Sequence, residues 1–160
     1  TIFQAKPWSR SMAKKLKAAG YQIDTSSLLK SYRCPPSVCG FVTEKLEINI
    51  EPVSSEHGVN KLIEDNQEVD AVFNDPSIKL FYQGSNKYPG NTDNWGNVKG
   101  LDDFEDVCVV LNPTTLRAYK NNTLSNLAPT TKNKFYVACT RTKRNLYFID
   151  EANINKYKND

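Results

Sequence analysis

Residues 107–111 read VCVVL, an unbroken apolar run with three valines. Neighbouring side chains of a strand point to opposite faces of its sheet, so a run of this kind has both faces covered. That is the signature of a central strand in a parallel sheet flanked by helices. The stretch 133–150, NKFYVACTRTKRNLYFID, shows the matching alternation of elements. Phe135, Tyr136, Ala138 and Cys139 keep helical spacing and predict a short helix with one buried side. Leu146, Phe148 and Ile149 then form a compact apolar run ending at Asp150, a buried strand. Such alternation predicts an α/β fold with a mostly parallel sheet.

The rest of the chain fits that class. A helix is expected over residues 7–18, opened by Pro7 and stopped before Gly20, and a short strand over 21–23. Pro35 and Pro36 bias Cys34 away from helix and fix a turn. A helix follows to about residue 45, with Val38, Phe41 and Val42 on one face. Residues 46–53 alternate Leu46, Ile48 and Ile50 with polar residues, as in a half-exposed strand. Residues 54–66 predict loop plus a short helix. Residues 69–73 and 78–82 are strand candidates separated by the turn cluster Asn74-Asp75-Pro76-Ser77. Residues 83–97 are the longest irregular stretch, a kind of segment that often carries function. A helix is expected over 113–120, polar linker over 121–131, and a terminal helix over 152–157 that frays.

At 160 residues, with 39% hydrophobic and 24% charged residues, the chain fits one globular domain. A net charge of +3 permits a nucleic-acid surface without demanding one. Cys34, Cys39, Cys108 and Cys139 form no CxxC pair and His57 is the only histidine, so no zinc site is expected. The thiols read as reduced and the compartment as cytoplasmic. No apolar run is long enough to span a bilayer, and no signal peptide is visible. The start at Thr1 predicts a fragment of a longer protein.

The junction between the predicted helix and strand is Thr140-Arg141-Thr142-Lys143-Arg144. Cations at a helix end are favoured by the helix dipole, which accounts for them without any function. An arginine held rigidly at such a junction can also reach a phosphate with its planar fork.

Three segments carry a resemblance to a known family. NKFYVACTRTKRNLYFI resembles motif VI of UvrD/Rep-like superfamily 1 helicases. LLKSYRCPPSVCGF is similar to their motif IV and NVKGLDDFEDVCVVL to their motif V, and the three stand in the family's order. TIFQ at the start looks like the tail of motif III. The resemblance implies a second, C-terminal RecA-like domain of a DNA helicase: a P-loop NTPase-type fold without its own phosphate loop, since GxxxxGK[ST] is absent. Between Arg33 and Lys99 there is no room for the large insertion subdomain that UvrD and Rep carry.

What the resemblance implies for residues follows position by position. Arg33 and Arg141 match the arginines that reach the γ-phosphate as arginine fingers. Tyr32 matches a tyrosine that stacks on adenine, with packing in the core as the alternative. Gly100 and Asp102 match nucleotide-contacting positions of motif V, although the family has Glu where Asp102 stands. Lys99 and Phe3 match DNA-contacting positions. Trp95, read from its residue type alone, either stacks on a DNA base or packs at the sheet edge. ATP and Mg²⁺ would be held mainly by an N-terminal RecA-like domain, and single-stranded DNA would be the other partner. The alternative reading is a RecA-like module that binds DNA or protein and has lost catalysis.

Overall fold

The computed structural model describes residues 21–23, 29–97 and 104–159. The helix expected over 7–18 lies outside them, as do Phe3, Lys99, Gly100 and Asp102.

The described chain forms two sheets. The smaller contains β1 (Tyr21–Ile23), β2 (Leu29–Ser31) and β3 (Ile50–Pro52), with β1 antiparallel and β3 parallel to β2. The larger is built from β4 (Asn60–Ile63), β5 (Ile78–Phe81), β6 (Thr92–Asn94), β7 (Phe104–Leu111) and β8 (Thr142–Asp150). Its order is β4-β8-β7-β5-β6 and every neighbouring pair is parallel. The apolar run 107–111 lies on the central strand, as its composition predicts. Val107 pairs with Leu146 and Val109 with Phe148 across β7 and β8.

Alternation along these strands divides the interior into two cores. Val107, Val109, Leu111, Leu146, Phe148, Ile78 and Leu80 face one side, with the helices α1 (Pro36–Phe41) and α4 (Pro129–Cys139). Cys108, Val110, Phe81 and Ile149 face the other, with Val69 and Phe73 of α2 (Asn66–Phe73) and with Ile154. Each fully buried Leu, Val or Phe contributes about 1.5–3 kcal/mol relative to exposure. The sheet is thus covered on both faces, which the continuous apolar strand requires. Helix α3 (Pro113–Lys120) follows β7, with Pro113 in its first turn.

Several elements differ from the sequence reading. Residues 69–73 are helix, the last part of α2. The Asp65 carboxylate caps it by accepting the Glu68 N–H at 3.1 Å, and Val69 and Phe73 stand four apart on its buried face. Leu46, Ile48 and Ile50 are buried while Glu47 and Asn49 are exposed, so the alternation is real. Yet α1 continues as a π-helix over Val42–Leu46, and only Ile50–Pro52 pairs as a strand. Glu47 ends that turn at φ 57°, in the left-handed region.

Residues 54–66 contain β4, an edge strand with too little apolar content to signal itself. Helix α4 begins at Pro129 inside the expected linker. Rather than burying one side, it buries Phe135, Tyr136, Val137, Ala138 and Cys139 in succession, because it is enclosed by β7, the turn Trp95–Asn97 and the π-helical turn. Residues 151–157 form a 3-10 helix. Instead of fraying, it is docked by buried Ile154 and by Tyr157, whose ring stacks on Phe73 at 4.3 Å.

Candidate functional site

The amino ends of parallel strands share one edge of their sheet, and the junction from α4 into β8 lies on that edge. Thr140 caps the carboxyl end of α4, with its N–H on the Tyr136 carbonyl at 3.1 Å and its Oγ1 donating to the same carbonyl at 2.8 Å. Its own carbonyl points to a distant part of the chain. The Cys34 thiol donates to it at 3.0 Å and Arg33 Nη1 at 3.4 Å. The proline-fixed turn after β2 supports this approach: Cys34 N–H donates to Ser31 Oγ at 3.0 Å, and Pro36 opens α1 immediately afterwards. Arg33 and the residue preceding Arg141 are therefore brought into contact across most of the chain.

Cysteine thiols lie close to this contact, and burial keeps them neutral. Burial pushes the Cys39 thiol up to about 12, with Cys34 nearby adding to the shift and a hydrogen bond with Ser31 opposing it. Burial likewise raises Cys139 well above the ordinary thiol range, with Cys34 again adding to it. All four cysteines are free and buried. Cys39 and Cys139 stay protonated at neutral pH, so neither supplies an anionic partner for a guanidinium.

The candidate residues stand in different situations. Tyr32 is 56% exposed, which corrects the alternative of a core tyrosine. Arg33 is half-buried. Arg141 is fully buried and engaged within the chain, so its fork does not face outward in this conformation. Arg144 is an exposed surface cation, 3.4 Å from Glu105, and pairs of that kind contribute about 0–1 kcal/mol.

Trp95 does not present a face for a DNA base. It is fully buried, its indole N–H donates to the Leu80 carbonyl at 3.0 Å, and its ring packs at 5.3 Å from Phe135 and 5.4 Å from Tyr82. The large apolar ring is worth more in the core than in solvent, and the one polar atom that burial would strand has an acceptor. Among the described residues, no group of three or more His, Cys, Asp or Glu side chains is arranged to hold a metal ion.

Sequence reasoning missed Thr140 as the shared acceptor and Cys34 as a donor. A backbone carbonyl carries no residue-type signal, and the prolines beside Cys34 mark a turn without indicating what the turn meets. It also missed Gly58. A Cβ there would lie 1.7 Å from the Arg144 carbonyl oxygen and 3.1 Å from Pro35 Cγ, so only glycine lets residues 53–59 lie against the start of β8.

These features define an α/β protein with a parallel sheet and an arginine-bearing junction at the sheet's amino edge. No protein-family profile matches the sequence. No curated protein is significantly similar to it. Among solved structures, an arterivirus nonstructural protein 10 (helicase) in complex with DNA is similar over 76% of this chain and 25% of that chain, at 14% identity and a TM-score of 0.49. A crystal structure of arterivirus nonstructural protein 10 is similar over 81% of this chain and 27% of that one, at 13% identity and a TM-score of 0.48. The chain thus spans about a quarter of the length of these proteins. At that distance neither likeness decides fold or activity. Among the described residues, no helix is long and apolar enough to cross a membrane.

Proposed function

We propose that this chain is the second RecA-like domain of a superfamily 1 DNA helicase and completes an ATP site whose main part another domain carries. The observation that carries this reading is the junction at Thr140. The segments resembling motifs IV and VI, far apart in sequence, meet there through the 3.4 Å bond from Arg33 and the 3.0 Å bond from Cys34. Tyr32, exposed beside Arg33, is suited to lie against a nucleobase, because a base offers every aromatic ring a π-face. The Arg33 guanidinium is suited to a phosphoryl group, where charge grows on equatorial oxygens as the bond breaks. On this reading ATP and Mg²⁺ are held by the N-terminal RecA-like domain. Arg141, Gly100 and Asp102 complete the nucleotide side, and Phe3 and Lys99 contact single-stranded DNA. Arg141 comes into play only when docking of the partner domain opens its enclosure.

The experiment is steady-state ATP hydrolysis by the full-length protein. Arg33→Ala is expected to lower kcat by about 10³-fold or more with a smaller effect on ATP binding. Near-normal turnover would reduce Arg33 to a surface cation. The 160-residue chain alone is expected to hydrolyse no ATP, because it lacks a phosphate loop.

One observation favours the second reading, a RecA-like module that binds DNA or protein without catalysis: Arg141 is wholly enclosed. An intact GxxxxGK[ST] and a magnesium-binding acid upstream of Thr1 support the enzyme, and their absence supports the module.

A further inference from the structure

A cleft on the other face of the sheet is lined by Asn86, Lys87, Asn155, Lys158 and Asn159. One wall is the 3-10 turn Ser85–Lys87, entered through Gly84 at φ 74°, a left-handed conformation that glycine adopts without strain. The other is the 3-10 helix Glu151–Tyr157 and its cap Lys158. Asn159 N–H donates to the Lys87 carbonyl at 2.7 Å and joins the walls. Both are anchored in the second core: Tyr88 stacks on Phe81 at 4.4 Å, and Ile154 is fully buried. The shape is therefore set by packing, while the lining is exposed.

The lining has one chemical character. It offers two ammonium groups and three carboxamides, and among the described residues no acid lines it. Neighbouring Lys156 is neutralised by Asp70 at 2.7 Å, whereas Lys87 and Lys158 have no ion pair among the described residues. Two cations lining one cleft, with no acid among its described residues, favour an anionic ligand. An exposed lysine holds one phosphate only weakly. A polymer of phosphates adds contacts and releases a counterion at each. Carboxamides donate to phosphate and sugar oxygens, and no described aromatic ring lines the cleft to stack a base. The large sheet separates the cleft from Cys34 and α4, so a nucleotide facing Arg33 cannot reach it.

We propose that this Lys87–Lys158 cleft holds the phosphodiester backbone of a single nucleic-acid strand, without base selection, on the face of the domain opposite the nucleotide. The inference rests on the helicase reading for its choice of ligand, and it places a strand contact that none of the motif residues supplies.

The test is fluorescence anisotropy of a labelled single-stranded oligothymidine titrated with the full chain over a series of salt concentrations. In Lys87→Ala/Lys158→Ala, binding is expected to weaken and the slope of log K against log salt to shrink by about 1.4, from two contacts at about 0.7 each. Lys87→Arg/Lys158→Arg is expected to retain binding. Lys61→Ala/Lys120→Ala, which removes the same charge elsewhere, is expected to leave the slope unchanged. Circular dichroism checks that each variant folds.

An equal loss in the control variant would mean that net charge alone binds the strand, and would overturn the cleft. Unchanged binding in Lys87→Ala/Lys158→Ala would overturn it while leaving the helicase reading standing. Absence of oligothymidine binding, with capture of phosphatidylserine vesicles lost in the same variant, would overturn it in favour of a membrane surface. Absence of both would overturn it outright, and the helicase reading would then be judged by the Arg33 kinetics alone.

Discussion

Arg33 Nη1 donates to the carbonyl oxygen of Thr140 at 3.4 Å, joining the turn after β2 to the residue before Arg141. The bond is long and half-exposed, so its net contribution is at the low end of the range for hydrogen bonds, about 0.5 kcal/mol. Arg33→Ala should therefore change the urea midpoint very little, which makes its kinetic effect interpretable. A loss above about 2 kcal/mol would instead make Arg33 a structural residue.

Arg141 behaves oppositely. Its side chain is fully enclosed, and truncating a buried, engaged side chain of that size costs about 2–5 kcal/mol. Arg141→Ala should lower the thermal midpoint of the isolated chain by many degrees, and Arg141→Lys should not fully restore it, because an ammonium lacks the planar fork. A midpoint unchanged in Arg141→Ala would show that the arginine is not enclosed in solution.

Trp95 provides a spectroscopic check. In a Trp8→Phe background its emission should be blue-shifted, protected from acrylamide and unaltered by single-stranded oligonucleotide, because its ring is fully buried. Strong quenching on adding oligonucleotide would restore base stacking. Trp95→Ala should cost about 3–5 kcal/mol in urea denaturation.

Gly58→Ala should be destabilising although Gly58 lies in a loop. The added Cβ meets the backbone oxygen of Arg144 at 1.7 Å, which no side-chain rotation relieves. Overpacking of this kind costs about 1–3 kcal/mol, measured by equilibrium unfolding. A neutral substitution would mean that residues 53–59 do not lie against β8.

Asp75 and Lys79 predict an acid limb to stability. Lys79 Nζ is 2.8 Å from Asp75 Oδ1 and 2.6 Å from the Asp75 and Ser77 carbonyls. Burial alone would raise the Asp75 carboxyl, but hydrogen bonds from Lys79 and Ser77 outweigh it and hold it below the usual carboxylate range. A depressed folded pKa stabilises the fold above the unfolded value of about 3.9 and loses that contribution as pH falls through the folded value. Asp75→Asn should cost about 2 kcal/mol at pH 7 and flatten stability below about pH 4. That is less than a fully buried pair would lose, because Asp75 is 35% exposed and two carbonyls still hold the ammonium. Equal acid sensitivity in wild type and variant would remove Asp75 as its source.

The sequence by itself determined the class of fold and the composition of the central strand. A run such as VCVVL has no polar face, and residues 135–139 and 146–149 around the basic junction can be satisfied only by burial. It also marked Tyr32 and Arg33 as residues at a proline-fixed turn. Tertiary structure decided the rest. Asp65 capped residues 66–73 into a helix, although 69–73 read as a strand. Trp95 turned inward onto the Leu80 carbonyl and Phe135, and the packed chain enclosed Arg141. Local pattern reports whether a side chain can be buried, but only the packed chain settles which neighbour covers it. For the same reason the meeting of Arg33 with the carbonyl of Thr140, made between distant segments through a backbone atom, left no trace in the order of residues.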